Sequence, residues 1–107
     1  MPIYNKLVRD KILDLIESKG EVAKHRQLEK EDYYEELKRK LQEEVNEYIT
    51  ARNTDEAIEE LADILEVIHA LVSVHGQTVL SLNETRERKR AERGGFENRI
   101  FLIEVEN

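Results

Sequence analysis

The segment Glu59–Val74, EELADILEVIHALVSV, decides the fold class of this chain. Its apolar residues recur every three or four positions, which is the period of an α-helix with one broad buried face. Glu60 and Asp63 open the segment on a side of the helix that becomes apolar one or two turns later. Because a buried carboxylate without a partner is costly, we expect these acids to be paired, protonated or bound to a metal ion.

A second acidic pair with the same spacing precedes this segment. Glu44 and Glu47, in LQEEVNEY, fall on a predicted helix over about residues 30–52, where Glu44 borders the apolar stripe. A tight turn between two antiparallel helices lets both pairs converge, and such a group of carboxylates is stable around a hard divalent cation such as Mg²⁺. The pattern therefore predicts a magnesium site, although two solvated acidic helix faces explain it as well in a chain with 24 acidic residues.

The whole chain is predicted as one all-α domain over residues 1–107, an antiparallel bundle of about four helices. Asn53 or Thr54 is expected to cap the third helix, and Gly94-Gly95 to stop the fourth. The apolar tail NRIFLIEV is expected to form a short strand or a packing arm. The predicted helices cover about residues 5–19, 30–52 and 55–75, and a fourth from Ser81 or Asn83 to Glu92.

Composition narrows the class of protein further. Of 107 residues, 39% are apolar and 38% charged, which suits a small helix-rich protein with a modest core. A domain of this size buries a limited share of its surface, so helices apolar on more than one face are expected to need a partner chain. Residues 29–69 carry fourteen acidic against five basic side chains, which argues against nucleic-acid binding. The longest mostly apolar stretch is too short to span a membrane, and the absence of cysteine fits a cytoplasmic protein.

Basic residues cluster towards both ends of the chain, in NKLVRDK and in ETRERKRAER. Several Lys and Arg side chains together are what a triphosphate requires, but a charge run of this kind is more typical of a solvated helix with ion pairs between neighbouring turns. No Ser/His/Asp or cysteine nucleophile is evident. Metal-assisted attack by water is therefore the chemistry that the carboxylates favour.

The motifs EEVNE and ELAD, separated by twelve residues, resemble the ExxE…ExxD signature of the all-α nucleoside triphosphate pyrophosphohydrolases, which include the MazG-like enzymes. YNKLVRDKI and KRAERGGF resemble a compact MazG-like subgroup described as phosphoribosyl-ATP pyrophosphohydrolase-like. The resemblance implies Mg²⁺-dependent cleavage between the α- and β-phosphates of a nucleoside triphosphate, with Mn²⁺ as a substitute ion. It also implies a dimer or tetramer.

The same resemblance assigns roles to individual residues. The implied metal ligands are Glu44, Glu47, Glu60 and Asp63. Glu43 and Glu44 are the implied catalytic carboxylates. The implied phosphate contacts are Lys6, Arg9, Lys89 and Arg93. Two other functions stay open: hydrolysis of phosphoribosyl-ATP, and a non-catalytic helical module that serves oligomerisation.

Overall fold

The computed structural model describes residues 2–107, and its regular structure is entirely helical. Four helices follow one another along the chain: α1 (Ile12–Ser18), α2 (Lys30–Ile49), α3 (Thr54–Val74) and α4 (Val79–Arg93). Because residues 2–107 contain no strand, the all-α fold class predicted from the sequence is confirmed.

The centre of the molecule is a hairpin of α2 and α3, which form the main helix-to-helix contact. The loop of residues 50–53 is too short to let the second helix run anywhere but back along the first. Leu37 from α2 and Val67 from α3 are the two buried apolar side chains of the described residues. α4 touches α3 more lightly, and α1 packs on none of the other three helices.

The start of α3 is fixed by a side-chain cap. The backbone N–H of Glu56 donates to Asn53 Oδ1 at 2.9 Å, so Asn53 is the cap, one of the two residues proposed for it. The carboxylate of Glu56 turns back to Arg52, accepting from its backbone N–H and its guanidinium at 3.0 Å each. These two bonds lower the pKa of Glu56 and set where α3 begins relative to α2.

Three of the predicted boundaries are wrong by two residues or more. α1 begins at Ile12 instead of Asn5, and α2 ends at Ile49 instead of Arg52. α4 begins at Val79, earlier than the start at Ser81 or Asn83 that was expected from the sequence. The reason is a reciprocal cap, in which the side chains of Thr78 and Ser81 each accept from the backbone N–H of the other.

The apolar tail does not form the strand that was one of its two predicted structures. Residues 100–107 lack regular structure, and Phe101 and Ile103 are each 87% exposed. A strand needs a neighbouring strand to pair its backbone groups, and residues 2–107 offer none. Among the helices of residues 2–107, none is both long and apolar enough to cross a membrane.

Candidate metal centre

Three carboxylates from the α2–α3 hairpin meet on one side of it. Glu44 and Glu47 project from α2 and Glu60 from α3, and one carboxylate oxygen of each lies within 4.8 Å of those of the other two. Glu44 precedes Arg52 in the hairpin loop by as many residues as Glu60 follows it. An antiparallel hairpin brings such positions side by side, about 12 Å from the turn. We call these three residues the carboxylate cluster.

Two oxygens of the carboxylate cluster lack a partner. The side chain of Glu44 is buried, with 6% of the residue exposed, and its Oε2 accepts no hydrogen bond from any described residue. The Oε2 of Glu60 is shielded in the same way and also has no partner. Buried polar atoms are nearly always satisfied, so two unpartnered oxygens in one cluster are unusual. Together with Glu47, they offer oxygen atoms that could hold a metal ion.

The protonation of the cluster reflects this crowding. Burial, and then the neighbouring Glu47, raise the pKa of Glu44, while Lys40 at 3.4 Å opposes the rise. The neighbouring Glu47 carboxyl, followed by loss of solvent, raises the pKa of Glu60 to about 7. Both shifts favour retention of a proton on the cluster, and a divalent cation can replace such a proton.

Asp63, the fourth predicted ligand, lies outside the carboxylate cluster. The Arg9 guanidinium donates from Nη2 to Asp63 Oδ1 at 2.6 Å. Asp63 follows Glu60 by three residues, so both project from the same side of α3. The structure thus brings three of the four predicted ligands together and gives the fourth a basic partner from the segment before α1.

Glu43 also faces basic side chains. Its Oε1 lies 3.7 Å from Lys6 Nζ, and its Oε2 lies 3.6 Å from Lys40 Nζ. Two of the four predicted phosphate contacts, Lys6 and Arg9, are therefore held against the acidic hairpin. Lys89 and Arg93, both exposed on α4, form no ion pair with any residue in the range 2–107.

Lys40 is a neighbour of the cluster that the sequence motifs did not single out. It precedes Glu43 by three positions and Glu44 by four, so helical spacing alone could have identified it as their partner. Lys40 also borders a shallow groove of about 180 Å³ beside the cluster. The groove is lined by Asn5, Lys6, Leu7, Glu36, Arg39, Lys40 and Glu43.

Comparison with other proteins identifies no relative of this chain. No protein-family model, no curated protein and no solved structure matches it. The features that bear on its function are consequently the motifs of the sequence and the geometry of the carboxylate cluster.

Proposed function

We propose that the protein is a Mg²⁺-dependent hydrolase that cleaves a nucleoside triphosphate between its α- and β-phosphates, releasing a nucleoside monophosphate and pyrophosphate. The observation that carries the metal part is the buried, unpartnered Oε2 of Glu44 among three converging carboxylates. All-oxygen ligation of this kind suits Mg²⁺, and Mn²⁺ can substitute for it. The choice of nucleotide comes from the resemblance of EEVNE, ELAD and the two terminal motifs.

Each side chain near the cluster has a role in this proposal. Glu44, Glu47 and Glu60 would hold the ion, with Asp63 as a fourth ligand. When bound, the metal supplies Lewis acidity to the phosphates and lowers the pKa of bound water. Glu43, next to Glu44 in the chain, is the carboxylate that we propose to orient the attacking water.

The basic side chains would neutralise the phosphates. Lys6 and Lys40 already lie within 4 Å of Glu43 and border the groove beside the cluster. Arg9 is similarly close to Asp63. Lys89 and Arg93 are proposed to reach the phosphates only in an assembly that brings α4 of one chain to the cluster of another.

Self-association as a dimer or tetramer is part of the same proposal. Ile58, Leu61 and Leu65 are 60%, 44% and 51% exposed and form a stripe along α3 at helical spacing. A non-catalytic oligomerisation module would use the same stripe, which keeps that function as the second candidate. The absence of cysteine fits the cytoplasm, where we propose that the protein acts.

Pyrophosphate release tests the proposal directly. The intact protein is incubated with a panel of nucleoside triphosphates and phosphoribosyl-ATP, with and without Mg²⁺. We expect Mg²⁺-dependent release that falls at least about 100-fold in Glu44→Gln and in Glu60→Gln, because each substitution removes a ligand charge.

Glu59→Gln is the matched control for these variants. Glu59 is exposed beside Glu60 on α3 and forms no ion pair with another described residue. The substitution removes the same charge and should leave activity within about twofold of the wild type. If no nucleotide of the panel is cleaved and Mg²⁺ leaves thermal stability unchanged, the hydrolase proposal is wrong and the oligomerisation module is the better account.

A further inference from the structure

The segment before α1 crosses the acidic hairpin and is tied to both of its helices. We call residues 5–11 the basic strap. Lys6 reaches Glu43 on α2, and Arg9 reaches Asp63 on α3, 54 positions further along the chain. The strap contains no helical turn before residue 10, so these two ion pairs hold it where a longer α1 was expected.

Asp63 is the one predicted ligand that the strap engages directly. Its side chain stands one turn after Glu60 on the same side of α3, so a change of rotamer moves it towards the carboxylate cluster. Its Oδ1 instead accepts a charge-assisted hydrogen bond from Arg9 at 2.6 Å. Without a metal ion, the guanidinium is thus the counterion of this carboxylate.

The ion pair is of the kind that can be exchanged. The side chains of Arg9 and Asp63 are 56% and 38% exposed, and exposed pairs add little net free energy. Glu44 differs, because its buried Oε2 has no partner to give up. A divalent cation held by the cluster would attract the Asp63 carboxylate and repel the Arg9 guanidinium at the same time.

We propose that the Arg9–Asp63 ion pair is a latch that a divalent cation opens: Asp63 turns to the bound ion, and Arg9 is released with the basic strap. This inference rests on the metal-binding part of the proposed function. In the opposite arrangement, Arg9 would orient Asp63 for the metal, and loss of Arg9 would weaken binding. The sign of the change in metal affinity therefore separates the two arrangements.

The test is a calorimetric Mg²⁺ titration of the intact chain. Arg9→Gln should bind Mg²⁺ about three- to fivefold more tightly than the wild type, because Asp63 no longer has to leave its partner. Lys11→Gln is the control: it removes the same charge two residues away, and Lys11 forms no ion pair within residues 2–107. Its affinity should change less than about twofold.

A double mutant shows whether Arg9 acts through Asp63. In the Asp63→Asn background, Arg9→Gln should change Mg²⁺ affinity no more than Lys11→Gln does. The ¹⁵N NMR signal of the Arg9 Nε–H provides a second readout. Mg²⁺ should move it towards the position of a free guanidinium in the wild type, and Asp63→Asn should place it there without metal.

The possible results distinguish the two proposals. If the wild type binds Mg²⁺ but Arg9→Gln binds it no more tightly than Lys11→Gln, the latch is wrong and the metal site stands. An Arg9 signal unmoved by saturating Mg²⁺ would have the same meaning. If neither the wild type nor Glu44→Gln binds Mg²⁺, both the latch and the metal site are overturned.

Discussion

At the scale of single residues, the behaviour of Glu60 follows from its neighbours. The Glu47 carboxyl, loss of solvent and Glu44 together raise the pKa of Glu60 from its ordinary 4.5 to about 7. A proton therefore stabilises the metal-free cluster at each pH at which Glu60 is protonated in the folded chain but ionised in the unfolded chain. The carboxylates that form the proposed metal site are, without metal, a source of instability at neutral pH.

This pKa sets the pH dependence of stability. Between about pH 4.5 and 7 the folded chain binds more protons at Glu60 than the unfolded chain. The stabilisation is complete below this window and is lost as pH rises through 7, so the free energy of unfolding without metal should fall from pH 5 to pH 8. Urea unfolding in a chelator at several pH values should show a shallower fall in Glu60→Gln.

The comparison with Glu60→Gln cancels the contribution of the titratable groups that the two proteins share. Excess Mg²⁺ should reverse the trend in the wild type, because the metal requires deprotonated ligands. Identical pH dependence in the wild type and in Glu60→Gln, both without metal, would mean that Glu60 does not hold the extra proton.

Individual contacts also mark the limit of prediction from sequence. Helical spacing was enough to place Glu44 at the edge of the apolar stripe, and Glu44 is indeed buried. The partner of Asp63 could not be found in this way, because Arg9 lies 54 positions earlier in the chain. Periodicity describes one helix at a time and carries no information about which basic side chain from a distant part of the sequence contacts that helix.

At the scale of helices, local signals predicted α2 and α3 well. Their apolar residues keep the helical spacing over many turns, and the boundaries of α3 fall within one residue of the expected ones. α1 differs because a seven-residue helix has little intrinsic stability. The basic strap before α1 forms ion pairs with the hairpin and does not extend α1 as a further helical turn. The local cap of α3 was predictable from sequence, whereas the local cap of α4 at Thr78 was missed. The start of α1 could not be predicted, because the segment before it forms ion pairs with distant residues.

The cap of α3 gives the prediction at this scale. Asn53→Ala removes the acceptor of the Glu56 N–H and should lower the free energy of unfolding by about 1 kcal/mol. Thr54→Ala is the control, since no hydrogen bond of the Thr54 side chain is present within the described chain. It should cost less than about 0.5 kcal/mol in the same urea experiment. Equal losses in the two variants would show that Asn53 is not the cap.

At the scale of the whole molecule, the shape is elongated, with extents of 64 × 36 × 24 Å. The α2–α3 hairpin carries the carboxylate cluster, while much of the apolar surface of α3 and of the tail stays exposed. Chain length and helix patterning predicted this shortage of burial. They do not show which apolar residues remain uncovered, because that depends on how little α1 and α4 pack on the hairpin.

Replacing Leu61 and Leu65 by Gln tests whether the α3 stripe joins two chains. Burying one leucine in an interface contributes about 1.5–3 kcal/mol, so the double substitution should raise the dissociation constant at least about 100-fold. Sedimentation velocity over a range of concentrations measures this shift. Val22→Gln makes the same kind of change at a connector residue that is 93% exposed, and it should leave the assembly unchanged. If the wild type sediments as a monomer at high concentration, the proposed self-association is wrong. The proposed phosphate contacts from Lys89 and Arg93 of a second chain are then wrong as well.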